Sequence, residues 1–206
     1  MTRILFFDTE TTGLPDYRLP VDDPRQPHIV QLAALLCDED GMEKASLNLI
    51  VNAGVEVPEQ ASSVHGITTD IMQTFGVEPR RAAAAFDGLC KVADLIVAHN
   101  IKFDKFLLAS LFARSTGLAS PAGSKLAECT MEMSSPIVNL PPTERMIAAG
   151  FDKPKPPRLE EAYRYFFGKD LDGAHDALVD VRACKEIYFA MIDQNVFKIN
   201  FEGSAA

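Results

Sequence analysis

The 206-residue chain contains no tryptophan, and its four cysteines, Cys37, Cys90, Cys129 and Cys184, stand far apart with no C-x-x-C pair. Zinc-ribbon and dithiol redox chemistry are thereby excluded, and no disulfide framework is implied. Apolar runs are short: charges break each within about a dozen positions, well under the roughly 18 residues of a membrane helix. The opening run, Ile4-Leu5-Phe6-Phe7, meets Asp8 after four residues, too few for the central region of a secretory signal. These absences imply a cytosolic protein that does not span a bilayer. Positive charge is scarce as well. Twenty Lys and Arg face 29 Asp and Glu, a net charge of −9, so most of the surface repels nucleic acid and long-footprint duplex binding is disfavoured. A nucleic-acid ligand would have to be attracted locally, by metal ions and a few lysines and arginines.

What is present is ordinary for a folded chain: 47% hydrophobic and 24% charged residues exclude disordered, collagen-like and low-complexity classes. The length fits one domain over 1–206, with a core of about 3–194 and a C-terminal tail, 195–206, frayed at least from Glu202 to Ala206. Ile4 to Asp8 reads as a buried strand ending in an acid. Leu14 to Pro27 holds four prolines and three aspartates without periodicity, the mark of a long loop. Ile29 to Cys37 and Ala45 to Val51 flank the acidic turn Asp38-Glu39-Asp40-Gly41, so the first three strands form a meander. Short helices follow Pro58 and Thr68, and a longer one runs from Glu78 to about Val92. Asp94 to Ala98 returns as a strand. Asn100 then reads as the N-cap of a helix to about Ser115, with apolar residues at three-and-four spacing. A strand is expected over Lys125 to Met131. Proline makes Ser134 to Arg158 mostly irregular apart from a short helix at Glu144 to Ala149, and helices cover Leu159 to Phe167 and Asp176 to about Gln194. There is no internal repeat. The sum is an α/β domain with a mixed sheet of about five strands flanked by helices.

Four acids stand out by context. Asp8 and Glu10, two residues apart at a strand end, point to one face and make a pair of oxygen ligands. Asp104 lies in the first turn of the helix after the fourth strand, where a parallel sheet directs its loops toward the ligand side. Asp180 lies near the start of the last helix, five residues after His175. Each alone has a plain explanation as a turn or helix-dipole residue. Together they supply four hard oxygen donors and an imidazole.

Three strings carry these residues: Phe6-Phe7-Asp8-Thr9-Glu10-Thr11-Thr12-Gly13-Leu14, Ala98-His99-Asn100-Ile101-Lys102-Phe103-Asp104, and His175-Asp176-Ala177-Leu178-Val179-Asp180. In this order and spacing they resemble the three motifs of the DEDDh (DnaQ-like) group of 3′-to-5′ exonucleases, over the chain from Asp8 to about Tyr188. The resemblance implies an RNase H-like fold, two Mg²⁺ or Mn²⁺ ions held by Asp8, Glu10, Asp104 and Asp180, His175 as general base, and release of 5′-mononucleotides from a 3′ end, single-stranded or a frayed duplex end, DNA favoured. The residue chemistry agrees. Two metals about 4 Å apart acidify water and clamp a leaving oxygen, carboxylates suit Mg²⁺ or Mn²⁺ and no cysteine or histidine cluster suits Zn²⁺, and a histidine with an ordinary pKa near 6.5 is matched to taking a proton at pH 7. Fully ionised, four carboxylates balance two divalent ions, so the loaded site can accept a phosphate that the bare site repels.

The resemblance also puts Thr11, Thr12, Gly13, Leu14 and His65 at the terminal nucleotide, with Leu14 wedged against its base. Asn100 and His99 read as structural. Lys153, Lys155 and Arg158, set among prolines, make a basic patch able to grip a strand backbone. The chain departs from the family in its long 14–27 loop, which bears on substrate choice, and in Gln31, where an acid is common. The alternatives are a dehalogenase-like phosphatase, since Asp8-x-Glu10 resembles that family's acid-x-acid opening, and a binding module that kept the fold without the chemistry. The first has no use for the H-x-x-x-x-D string and the second no reason to keep all four acids. DNA or RNA, a free-standing enzyme or a subunit held by a polymerase, and oligomeric state are not decided by the sequence.

Overall fold

The computed structural model describes residues 1–193; the tail expected over 195–206 and the last residue of the expected terminal helix, Gln194, lie outside the described residues. Five strands form one mixed sheet in the order β3-β2-β1-β4-β5, with β1 at Ile4–Thr11, β2 at Ile29–Cys37, β3 at Glu43–Ile50, β4 at Leu95–Ala98 and β5 at Leu126–Cys129. β1, β2 and β3 pair antiparallel as the expected meander, while β4 pairs parallel with β1, and β5 with β4. Parallel neighbours require crossovers, and helices supply them. α1 (Glu59–His65), α2 (Thr69–Phe75) and α3 (Pro79–Val92) lie between β3 and β4, and α4 (Ile101–Thr116) joins β4 to β5. α5 (Thr130–Val138), α6 (Glu144–Ala148), α7 (Leu159–Phe167) and α8 (Ala177–Asp193) follow. This is the expected RNase H-like sheet flanked by helices. Among the described residues no helix is long and apolar enough to cross a membrane.

The central strand β1 is covered on both faces, which is why its sequence is apolar without alternation. Leu5 and Phe7 face α3 and α4, where Phe7 meets Phe86 edge to face at 5.5 Å. Ile4 and Phe6 face α8, where Phe6 meets Tyr188 at 5.4 Å. Each such side chain contributes roughly 1.5–3 kcal/mol by leaving water. Strand parity then carries the direction forward: Asp8 and Glu10 continue the α8-facing side, while Thr9 and Thr11 continue the α4-facing side.

The structure differs from the expectation between residues 125 and 158. The fifth strand stops at Cys129, and α5 begins at once and runs through Pro136. Pro136 removes one backbone bond, but Met133, Ile137 and Val138 pack against Ala162, Ile187 and Met191, and this burial outweighs the local penalty in a short helix. Asn100 occupies the N-cap position of α4 but its side chain makes no capping bond. It adopts a left-handed conformation, φ 65°, which Asn tolerates, and turns the chain directly from β4 into α4. The basic patch is also reduced: Lys155 is spent on Glu161 at 2.6 Å, tying the loop to the start of α7.

The 14–27 loop has a built interior. The Gln26 side chain is 2% exposed; its amide donates to the carbonyls of Asp16 at 2.8 Å, Pro20 at 3.2 Å and Leu19 at 3.4 Å, and its oxygen accepts from Asp16 N at 3.1 Å. Arg114 of α4 fastens the loop's end through the carbonyls of Gln26 and Pro27 at 3.0 and 2.6 Å. Gln26→Ala strips these loop groups of their partner, a loss of about 1–3 kcal/mol. A thermal melt should show Tm lower by roughly 2–10 °C for a domain of this size; an unchanged Tm would mean the loop holds its shape without the amide.

Candidate active site

The site forms where the C-terminal end of β1 meets the starts of α4 and α8. Strand parity aims Asp8 and Glu10 toward α8. Asp176 caps that helix, its Oδ1 accepting from Leu178 N at 2.9 Å and Val179 N at 3.3 Å, so Asp180 sits in the first turn, buried. Its Oδ2 accepts from the His175 backbone N–H at 3.1 Å. His175 has φ 68°, an unfavourable conformation for a residue with a side chain that turns this N–H inward and leaves the imidazole exposed. Asp104 comes from α4 on the other face of the sheet. It is buried, and the Thr9 hydroxyl donates to its Oδ1 at 2.7 Å.

Glu10, His175 and Asp180 can each bring one ligating atom within 4.8 Å of the others, a set able to hold a metal ion. Asp8 and Asp104 are outside that tight set but belong to the same electrostatic cluster. Burial, then the charges of Asp104, Asp180, Glu10 and Asp176, hold the Asp8 carboxyl well above the usual carboxylate range. Burial and the charges of Asp180, Asp104 and Asp176 push Glu10 up to about 8. Burial raises Asp104 against the opposing Thr9 bond, and raises Asp180 to about 6 against the His175 N–H. Asp180 Oδ1 is buried with no hydrogen-bond partner. Crowded acids that repel one another, one with an orphaned oxygen, are the donor set a hard divalent cation fits.

Beside the acids lies a cleft of about 420 Å³ whose lining includes Glu10, Thr11, Thr12, Gly13, Leu14 and His65. The residues expected at a terminal nucleotide thus share one cavity, with Phe103 as a further wall. Leu14 is 86% exposed at its rim. His65 Nδ1 accepts from Ile67 N at 3.1 Å, which leaves Nε2–H to donate to Thr11 O at 3.3 Å. Both ring nitrogens are engaged, so His65 shapes the wall by tying α1 to the end of β1.

Sequence reasoning missed several supporting residues. Glu160 of α7 stands 3.5 Å from His175 Nε2; an acid in a helix's first turn gave no further signal. Gln31 is a brace: its Oε1 accepts from Ala177 N, at the start of α8, at 3.2 Å and its Nε2 donates to Asn48 Oδ1 at 3.0 Å. His99 is structural as expected, bridging Thr130 Oγ1 at 2.9 Å and Pro157 O at 3.0 Å, with burial lowering its pKa to about 4.

A family model described as RNase_T exonuclease matches residues 5–188. Among solved structures, Escherichia coli exonuclease I in complex with a dA16 oligonucleotide superposes with a TM-score of 0.73 at 19% identity, covering 95% of this chain and 42% of that one. The zinc-ion-bound form of the E. coli exonuclease I–ssDNA complex gives 0.72 at 20% identity, over 95% and 41%. Exonuclease I from Methylocaldum szegediense gives 0.68 at 19%, over 95% and 41%. At these identities the likeness is one of fold, and the chain spans about two fifths of the length of these proteins. Comparison with curated proteins finds no match. The family match removes the phosphatase alternative.

The raised pKa values carry a stability consequence. An acid whose folded pKa lies above its unfolded value stabilises the fold below the unfolded value, and that contribution is lost as pH rises through the folded one. For Glu10 and Asp180, shifted to about 8 and about 6, the window is about pH 4 to 8. Metal-free protein should therefore lose Tm between pH 5 and pH 8, and Mn²⁺ should raise Tm more at pH 8 than at pH 5. Equal Mn²⁺ shifts at both values would show that these acids do not take the ion.

Proposed function

This chain belongs to the exonuclease family, and from that membership we propose that it removes nucleoside 5′-monophosphates from the 3′ end of single-stranded nucleic acid, DNA by preference, with two Mg²⁺ or Mn²⁺ ions. The observation that carries the reading is the convergence of Asp8, Glu10, Asp104 and Asp180 into one group of mutually repelling, partly or wholly buried acids, with Glu10 reaching into a nucleotide-sized cleft.

These four carboxylates would hold the metals, whose chemistry when bound is to acidify water and to neutralise the charge developing on the phosphate. The remaining work falls to the chain itself. Thr9 holds Asp104, and the His175 backbone holds Asp180, fixing the carboxylates before substrate arrives. The exposed His175 imidazole takes the proton from the attacking water, and Glu160, 3.5 Å from Nε2, steadies the ring. The cleft receives the terminal nucleotide. Thr11 to Gly13 bring backbone against it, and a Cβ at Gly13 would meet no protein atom, which fits close approach of a ligand there. Leu14, apolar and exposed at the rim, is suited to cover the face of a base. The DNA preference is drawn from the fold relatives, whose structures hold dA16 and dT13 oligonucleotides.

The reading is tested on a 3′-labelled single strand, which with Mn²⁺ should yield labelled mononucleotide, with EDTA abolishing and Mg²⁺ or Mn²⁺ restoring the reaction; hydrolysis indifferent to chelation would sink the metal-dependent account. Asp180→Asn should lower kcat by at least about 100-fold, nearly 3 kcal/mol of barrier. His175→Ala should lose about 10²–10⁴ in kcat while Mn²⁺ affinity, measured by calorimetry, stays within about threefold. A parallel collapse of Mn²⁺ affinity would make His175 a ligand instead.

A further inference from the structure

The loop that sets this chain apart in sequence carries an exposed aromatic ring with a cation over it. Tyr17 is 47% exposed. Its ring packs edge to face on Phe106 of α4 with centroids 5.0 Å apart, and Lys102 Nζ lies 4.8 Å from its centre. Tyr17 stands three residues beyond Leu14, and Lys102 immediately precedes Phe103, two residues that line the terminal-nucleotide cleft. Neither is a motif position: Lys102 falls at an open place of H-N-x-x-F-D, and Tyr17 lies in the loop that departs from the family.

Two features leave this pair available to a ligand. Lys102 sits in the first turn of α4, where the helix dipole disfavours a cation. It also takes no part in the ion pairs of the described lysines, which engage Lys44, Lys91, Lys155 and Lys185. Tyr17 in turn is held on a loop made rigid by the buried Gln26 amide and the Arg114 clamp, so its ring is oriented in advance.

We propose that Tyr17 and Lys102 form a second nucleotide subsite beside the terminal cleft, in which Tyr17 stacks on a base of the single strand and Lys102 pairs with its phosphate. Resting on the exonuclease reading, the inference names where the strand leaves the catalytic cleft. The ammonium, on a flexible exposed stem, swings from the ring to the phosphate, and the uncovered face takes the base. An aromatic platform with an adjacent cation is how sequence-tolerant single-strand binding is built, and on a chain of net charge −9 such a local pairing supplies the attraction the global field withholds.

The test is fluorescence anisotropy of 5′-fluorescein-dT10 with the full chain and Ca²⁺, alongside competition by dTMP, which fills the terminal cleft alone. Tyr17→Ala should raise Kd for dT10 about 5–50-fold, the worth of one stacked base, and shrink the preference for dT10 over dTMP by the same factor. Tyr17→Phe, which keeps the ring, should restore binding. Lys102→Ala should reduce the slope of log Kd against log salt by about 0.7, one single-strand phosphate contact. Wild-type affinity for dT10 in Tyr17→Ala, equal loss for dT10 and dTMP, or a Tyr17→Phe variant as weak as the alanine would each overturn the subsite. Failure of the wild-type chain to shorten 3′-labelled dT10 with Mn²⁺ would instead overturn the exonuclease reading, and the anisotropy result would still decide the subsite.

Discussion

The site depends on the parity of β1. Side chains alternate along a strand, so the core that fixes Phe6 toward α8 and Phe7 toward α3 also decides which way Asp8, Thr9 and Glu10 point. A slip of one residue would reverse every side chain, turning both carboxylates from Asp180 and exchanging two phenylalanines between differently shaped pockets. Ile4 to Phe7 are wholly buried, and apolar burial of this kind locks the register. The acids gain no stability from their own position, since desolvation and mutual repulsion oppose their ionisation. They are held by neighbours that pack well, the usual arrangement where function asks for locally unfavourable chemistry.

Neutral donors finish what parity begins. Asp104 and Asp180 arrive from opposite faces of the sheet, and each is fixed by one hydrogen bond, from Thr9 and from the His175 backbone. Gln31 then ties the start of α8 to β2. A carboxylate at Gln31 would add negative charge to a cluster already crowded with it, so the amide braces the helix without deepening the repulsion. The left-handed His175 serves the same end: its strained backbone gives a donor to Asp180 while its side chain stays at the mouth.

The elements legible in sequence were those whose pattern is local. The meander, the parallel crossovers and α8 follow from apolar period and turn residues, and the acids were legible because three strings fixed their order and spacing. What failed to show depended on contacts between distant segments. α5 contains Pro136, a breaker by local rules, and exists because α7 and α8 cover its apolar side. Asn100 looked like a cap, but its left-handed turn is imposed by the direct passage from β4 to α4. Lys155 reads as part of a basic patch, but α7 brings Glu161 to it. Gln26 is a polar residue in a proline-rich loop, and nothing in its neighbours announces that its amide will be the loop's interior.

On the proposed reading, an acidic chain that acts on a polyanion faces a conflict that its architecture divides in space. Exposed charges farther apart than a Debye length, about 8 Å at physiological salt, act nearly independently, so most of the negative surface can discourage duplex lying along it without reaching into the cleft. Within the cleft the acids are the obstacle, and the divalent cations of the proposed mechanism would remove it there alone. On that reading the surfaces offered to a strand are apolar or aromatic: Leu14 at the rim, Phe103 in the wall, Tyr17 in the neighbouring loop. Stacking needs bases that are unpaired, and electrostatic gripping of a backbone does not. A site that relies on the first and suppresses the second would favour loose ends over continuous duplex, so the selectivity proposed for this chain follows from its charge distribution as much as from the shape of its pocket.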